Sequence, residues 1–244
     1  MLHEVVKLSK LISKKLNNWF LSAQSCVYPY TCFICNQPGH HGMDLCDACL
    51  AELPRIEQAC TICNIALTTD ASICGRCLKK MPYFDRITTP YRYHGTARFL
   101  IQSLKFQAKH SCAKIMGELM ARHIKTLDKK TDALVSAPLH PKRLAVRGFN
   151  QSDFISQWIQ RELQIPLLHQ PLKRVINTSS QASLNAAERR KNIRNAFRYQ
   201  AKGDIRSIAI IDDVVTTGST ANEMAKTLKK AGVERVEVWA FARA

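Results

Sequence analysis

The stretch IAIIDDVVTTGST, Ile208 to Thr220, decides the fold. Ser207 to Ile211 is a short isoleucine-rich run, with the continuous apolar character of a parallel strand covered on both faces. Ser219 to Ala231 carries apolar residues at helical spacing, so Asp212 to Gly218 is expected to be the turn between a strand and a helix. At such a turn the first N–H groups of the helix lack intrahelical partners and, with the helix dipole, attract an anion, phosphate above all. Gly218 permits close backbone approach, and the hydroxyls of Thr216, Thr217, Ser219 and Thr220 add donors. The phosphate loop of nucleotide triphosphatases needs a lysine before its Ser or Thr, and none stands here. Asp212 and Asp213 would repel a bare phosphate. They suit instead a vicinal diol, or a Mg2+ ion held by oxygen. A ribose phosphate with free hydroxyls satisfies both halves of the string.

These residues resemble the phosphoribosyl pyrophosphate (PRPP) signature of type I phosphoribosyltransferases, in which an apolar run is followed by two acidic residues and a Thr-Thr-Gly turn. The resemblance implies that Asp212 and Asp213 hold the ribose hydroxyls and would be the catalytic pair of an enzyme. It implies that Thr216, Thr217, Gly218, Ser219 and Thr220 cradle the 5-phosphate, with Mg2+ accompanying PRPP. Some members of that fold bind the ligand and regulate, so the motif leaves turnover open.

Eight of the ten cysteines form four C-x-x-C knuckles, Cys32/Cys35, Cys46/Cys49, Cys60/Cys63 and Cys74/Cys77. A tetrahedral zinc site needs four ligands and each knuckle supplies two thiolates, so two structural Zn2+ sites are expected. Equal spacing leaves the pairing open between serial ribbons and a cross-brace, with serial ribbons the expected arrangement. All positions are filled by thiolate, leaving none for a catalytic water. A segment this small and poor in large apolar residues needs its metal to fold. Cys26 and Cys112 fall outside the pattern and read as plain thiols; His40 and His41 read as surface residues.

The chain of 244 residues has room for one sizeable domain and a small one. It lacks a run of about 18 apolar residues, so no transmembrane segment is expected. Lys7, Lys10, Lys14 and Lys15 interrupt the apolar residues near the N-terminus, which argues against a signal peptide and for a basic amphipathic helix. Thiolate zinc sites without a secretory signal suit a reducing cytoplasm, and the basic helix leaves peripheral association with the inner membrane face open. The expected division is 1–25 amphipathic helix, 26–80 double zinc ribbon and 81–244 phosphoribosyltransferase-like domain.

Beyond the knuckles, RITTPYRYHG alternates as a strand does, and TARFLIQSLKFQAKHSCAKIMGELMARHIKTL has helical spacing over most of its length. TDALVSAPLH contains a buried strand ended by proline; PKRLAVRGFNQS begins as a basic loop and becomes helical from about Asn150. IPLL is a short strand at best, SSQASLNAAERRKNIRNAF is mostly loop or short helix, and RVEVWAFAR is a final strand. Strands alternating with helices give an α/β fold with a parallel sheet, and ligands of such sheets bind at the carboxyl ends of strands.

In order, the knuckles, LKF, PLHPKR, RGFNQS, AERRKNIRNAF and the PRPP string resemble the ComF family of competence-associated, GntX-like proteins, from about Cys32 to the C-terminus. The resemblance implies a double zinc ribbon joined to a type I phosphoribosyltransferase fold. It also implies a role in handling imported single-stranded DNA during natural transformation, with competence machinery at the inner membrane face as a further partner. The alternatives are a phosphoribosyltransferase of nucleobase salvage and a PRPP-sensing, RNA-binding regulator.

Transfer would require basic groups around the departing pyrophosphate. Similar proteins place there the segments holding Lys105, Arg143 and Arg147, and Arg189, Arg190, Lys191 and Arg194 could form a lid. Only Ala242 to Ala244 follow the last strand core, where many such enzymes add base-recognising residues. The 36 Lys and Arg against 19 Asp and Glu give a net charge of +17, which favours polyanions whatever their sequence. Tyr83, Phe84, Tyr91, Tyr93, Phe99, Phe106 and Phe149 stand beside basic residues, the pattern single strands prefer. Phe149, in a loop with Arg147, is the first choice for a stacking platform.

Overall fold

A computed structural model describes residues 29–127, 131–177, 193–200 and 203–244. The expected N-terminal helix, Cys26 and the lid residues Arg189, Arg190 and Lys191 lie outside the described residues. Two compact units divide between Glu52 and Leu53.

The first unit, from residue 29, is built on a tight knuckle turn: Cys32 N–H donates to Gln37 O and Asn36 N–H to Cys32 O. Asn36 takes a left-handed conformation (φ 61°), which asparagine tolerates better than most residues. A short helix, α1 (Asp47–Ala51), follows, with the Cys46 side chain capping its start. Gly39 is required here, because a Cβ would lie 2.3 Å from Met43 O.

The second unit opens with the same device. Cys60 N–H donates to Ile65 O, Asn64 N–H returns to Cys60 O at φ 53°, and α2 (Gly75–Lys79) completes the repeat. This ribbon is fixed to a parallel sheet of β1 (Arg86–Thr88), β2 (Tyr91–Arg92), β3 (Ala133–Ser136), β6 (Ser207–Val215) and β7 (Arg235–Arg243). Strand order is β1-β7-β6-β3, with β2 pairing farther along β7. Ile87 N–H donates to Ile62 O, and Asn64 Nδ2 donates to both Thr89 O and Oγ1. Cys60, Ile62, Cys63 and Cys77 share one apolar core with Ile87, Val215 and Val238.

The isoleucine run forms the centre of the sheet as expected, with Ile208 to Ile211 fully buried. The strand runs longer than its apolar part, however. β6 pairs with β7 as far as Val215 opposite Arg243, so Asp212 and Asp213 belong to the strand and the turn shrinks to Thr216–Gly218. The long helical stretch is two helices, α3 (Gly95–Gln107) and α4 (Ser111–Lys125), broken where Ala108 turns left-handed at φ 51°. The basic segment after β3 is not a loop: Pro141 to Arg147 form α5, with His140 Nδ1 accepting from Lys142 N–H at its start and Gly148 (φ 80°) ending it. Proline is well tolerated at a first helical position, because its missing N–H would have no partner there. Next comes α6 (Gln151–Leu163), capped by Asn150 accepting from Ser152 N–H. IPLL contributes an isolated bridge, Leu134 to Leu167. A two-stranded antiparallel pair, β4 (Leu172–Arg174) with β5 (Phe197–Tyr199), stands apart from the main sheet. The last helix is α7 (Ser219–Lys230).

Candidate functional site

Extension of β6 fixes both carboxylates on a rigid strand end. Asp212 Oδ1 accepts from Asp213 N–H at 2.9 Å and from Ser152 Oγ, on α6, at 3.4 Å. Asp213 Oδ1 accepts from Val214 N–H at 2.8 Å, and its Oδ2 lies 2.5 Å from Lys105 Nζ on α3. That ion pair is well shielded, with side-chain exposures of 3% for Asp213 and 18% for Lys105. Burial first, and then the charge of Asp213, pushes the Asp212 carboxyl up to about 7, while Lys105 works in the opposite direction. Burial and the charge of Arg143 bring Arg174, on β4, down to about 10, opposed by Asp212. One carboxylate is thus paired with a lysine, and burial raises the proton affinity of its neighbour.

Beyond Asp213 the backbone turns into α7. Gly218 takes φ 75° at the helix N-cap and offers no side chain of its own there. Thr217 Oγ1 and Ser219 Oγ lie 2.9 Å apart, and Ser219 N–H donates to Thr217 Oγ1. The first-turn N–H groups and the hydroxyls thus form a nest of donors beyond the acidic pair. The turn is held from beneath by Arg243. This guanidinium is buried, and it donates to the carbonyls of Val215 (2.9 Å), Thr216 and Ala244 through Nη1 and to Cys63 O (3.0 Å) through Nε. One side chain therefore joins a knuckle of the second ribbon to the start of the loop. Nothing in the string itself signals Arg243; only the parallel pairing of β6 with β7 brings it there.

Of the other residues singled out in the sequence, Lys105 meets the acidic pair. Arg143 stands on α5, and Arg147 is turned to Gln151 Oε1 at 2.7 Å. Phe149 is half-buried, packed edge-on against His110 and Phe154 at centroid distances of 5.0 and 5.7 Å. Phe84 and Tyr91 are core residues, whereas Phe106 (75% exposed) and Tyr83 (47%) face solvent. Two cavities adjoin these elements. One, of about 460 Å3, opens at the end of β3 between Pro138, Leu139, Leu144, Leu172 and Val175, with Asn150, Asp153 and Arg174 at its edge. Sequence reading missed it, because its walls come from α5 and β4. The other, of about 600 Å3, lies between the second ribbon and α7.

The cysteines gather serially, Cys32, Cys35, Cys46 and Cys49 in one group and Cys60, Cys63, Cys74 and Cys77 in the other, with the sulfurs of each group within 4.8 Å of one another. Cys35 and Cys46 Sγ are 3.5 Å apart, and Cys63 and Cys74 Sγ 3.6 Å. A tetrahedron of Zn–S bonds of ~2.3 Å has edges of ~3.8 Å, so both groups fit zinc. Burial opposes the Cys60 thiolate, yet the N–H groups of Cys63, Cys74 and Ile62 outweigh it and bring Cys60 down to about 6. The knuckle backbone thus favours the ligating form. Cys112 is buried and pushed up to about 12, an inert thiol. His40 and His41 are exposed beside Asp47. No described helix is long and apolar enough to cross a membrane.

The sequence matches the Double zinc ribbon domain family over residues 23–78. Competence protein F of Haemophilus influenzae is 39% identical over 153 residues, covering 59% of this chain and 67% of that protein. DNA utilization protein YhgH of Escherichia coli K12 is 34% identical over 223 residues, 88% of this chain and 97% of that protein. Among solved structures, the Bacillus subtilis glutamine PRPP amidotransferase aligns with a TM-score of 0.35 at 20% identity, over 54% of this chain and 26% of that one. A mainly parallel α/β sheet with an acidic pair at the end of one of its inner strands accompanies the double zinc ribbon and its two four-cysteine clusters. The chain belongs to the ComF family of competence-associated proteins.

Proposed function

We propose that this protein handles single-stranded DNA during natural transformation and binds PRPP, or a related sugar phosphate, with Mg2+. The observation that carries the reading is the adjacency of an acidic pair on β6 to the glycine-initiated, hydroxyl-rich start of α7. In this arrangement Asp212 and Asp213 take the ribose hydroxyls, Asp213 already charge-balanced by Lys105. Thr216, Thr217, Gly218, Ser219 and Thr220 take the 5-phosphate by backbone N–H and hydroxyl donors. Mg2+ would supply charge neutralisation at a diphosphate, with the same carboxylates as its oxygen ligands. DNA is held by the excess of positive charge, with exposed rings such as Phe106, beside Lys105, offering a stacking face.

The test is fluorescence anisotropy of labelled single-stranded DNA on the zinc-loaded chain, at two salt concentrations, with and without Mg2+ and PRPP. Binding that weakens with salt and shifts on addition of PRPP, in the parent chain but not in Asp212→Asn, is expected. Loose binding indifferent to PRPP would overturn the reading. The cavity at the end of β3 favours a second reading, transfer of ribose phosphate to a base. Pyrophosphate release with a panel of nucleobases, lost in Asp213→Asn, would select it.

A further inference from the structure

A free sugar 5-phosphate ends at its phosphate, and nothing of PRPP extends past the loop on that side. Yet Thr217, Gly218 and Ser219 also line the 600 Å3 cleft between the second ribbon and α7. Arg76 and Lys80 of the ribbon enter that cleft from one wall, Arg194 and Lys226 from the other. Glu223, the acidic side chain lining it, already accepts from Asn195 N–H at 2.8 Å. Tyr83 presents a half-exposed ring with Lys226 Nζ 5.6 Å from its centroid. Cations along a groove with an exposed ring are the elements that hold a single strand by phosphate and base. A phosphodiester running on from the loop uses this cleft; a phosphomonoester does not.

The acidic pair gives the strand a polarity. If the loop takes a 5′-phosphate, the carboxylates face the 2′ and 3′ positions of the same sugar. In the interior of a strand the 3′ oxygen carries another phosphate, which would be set against Asp212 and Asp213 and repelled. A terminal 3′-hydroxyl donates to them instead. The base of that nucleotide, on the anomeric carbon, has for its ring the apolar cavity at the end of β3, the strand paired with β6.

Resting on the reading of Thr216–Thr220 as a phosphate cradle, we propose that this site receives the 3′-terminal nucleotide of a single-stranded nucleic acid. Its terminal hydroxyl meets Asp212 and Asp213, its 5′-phosphate sits on the loop as a diester, and the preceding nucleotides follow the cleft past Tyr83, Arg76 and Lys80.

The experiment is anisotropy competition on the full zinc-loaded chain against a labelled 12-nucleotide DNA with a 3′-hydroxyl. The competitors are unlabelled strands of the same sequence ending in a 3′-hydroxyl, a 3′-phosphate or a single ribonucleotide, a circular single strand of equal length, and PRPP. The 3′-hydroxyl strand should compete about tenfold better than the phosphorylated or circular strand. The ribonucleotide end, with its diol, should compete at least as well. PRPP should displace the end-dependent part of binding. Circular and 3′-phosphorylated strands competing as well as the free end would overturn the inference, while competition by PRPP in that same series would leave the sugar-phosphate reading intact. These comparisons use the unaltered chain, so they do not depend on how any variant folds.

Discussion

Replacing Asp212 by asparagine should stabilise the protein, increasingly so as pH rises. Asn keeps an oxygen to accept from Asp213 N–H and Ser152 Oγ, the two bonds Asp212 Oδ1 makes, and removes only the charge. The carboxyl sits at about 7 against an ordinary 3.8. Its folded value is raised, so its contribution favours folding fully only below about pH 4, and is lost as pH rises through 7. At roughly 1.4 kcal/mol per pH unit the displacement sets a ceiling of about 4 kcal/mol in the alkaline limit. Partial exposure of the carboxyl reduces this, and between pH 5 and pH 8 the advantage of Asp212→Asn should grow by about 1–2 kcal/mol. The assay is urea unfolding of both proteins at pH 5, 6, 7 and 8 with fixed zinc; the difference between them cancels the pH-dependent release of metal common to both. A difference that is flat across the range, or a variant less stable than its parent at pH 8, would refute the electrostatic account of this carboxylate. Loss of PRPP binding in the same variant, by calorimetric titration, would mark a charge kept for its ligand against the interest of stability.

Lys105→Met strands Asp213, whose side chain is almost fully buried, and should cost about 2–4 kcal/mol in a denaturant titration; a neutral result would mean the ion pair is dispensable. Gly117→Ala places a Cβ 2.5 Å from Trp158 Cβ where α4 packs on α6, and should lower the thermal midpoint through about 1–3 kcal/mol of overpacking. Phe106→Ser, at an exposed position, should leave the unfolding midpoint within about 0.5 kcal/mol of the parent while weakening single-stranded DNA binding about tenfold in anisotropy. Unchanged DNA affinity there would remove Phe106 from the interface.

Local chemistry made much of this fold readable from sequence. Ile208 to Ile211, the knuckle cysteines and RVEVWAFAR announce themselves because burial on both faces, thiolate ligation and strand pairing each demand a narrow set of residue types. The elements that escaped depend on partners distant in the chain. Asp212 and Asp213 read as turn residues, since polar side chains seldom continue a buried strand; β7 runs on to Arg243 and carries β6 with it. Pro141 to Arg147 read as a basic loop and form a helix, because His140 caps its start and proline is tolerated at the first helical position. Phe149 looked like a free ring in a basic loop, and the left-handed break at Ala108 helps place His110 against it. The cavity beside β3 has no signature of its own, being the space left between α5 and β4.

Arg243 gives the second ribbon a thermodynamic hold on the loop. Its guanidinium spans Cys63 O and the carbonyls of Val215 and Thr216, so a metal that stiffens the Cys60–Cys77 cluster also selects the shape of the loop start. Linkage is reciprocal: whatever factor zinc adds to the affinity of a ligand on Thr216–Thr220, that ligand adds to the affinity for zinc. A chelator titration should therefore need a higher chelator concentration to empty the second cluster with PRPP present than without it, if PRPP sits on Thr216–Thr220, turning metal affinity into a gauge of loop occupancy.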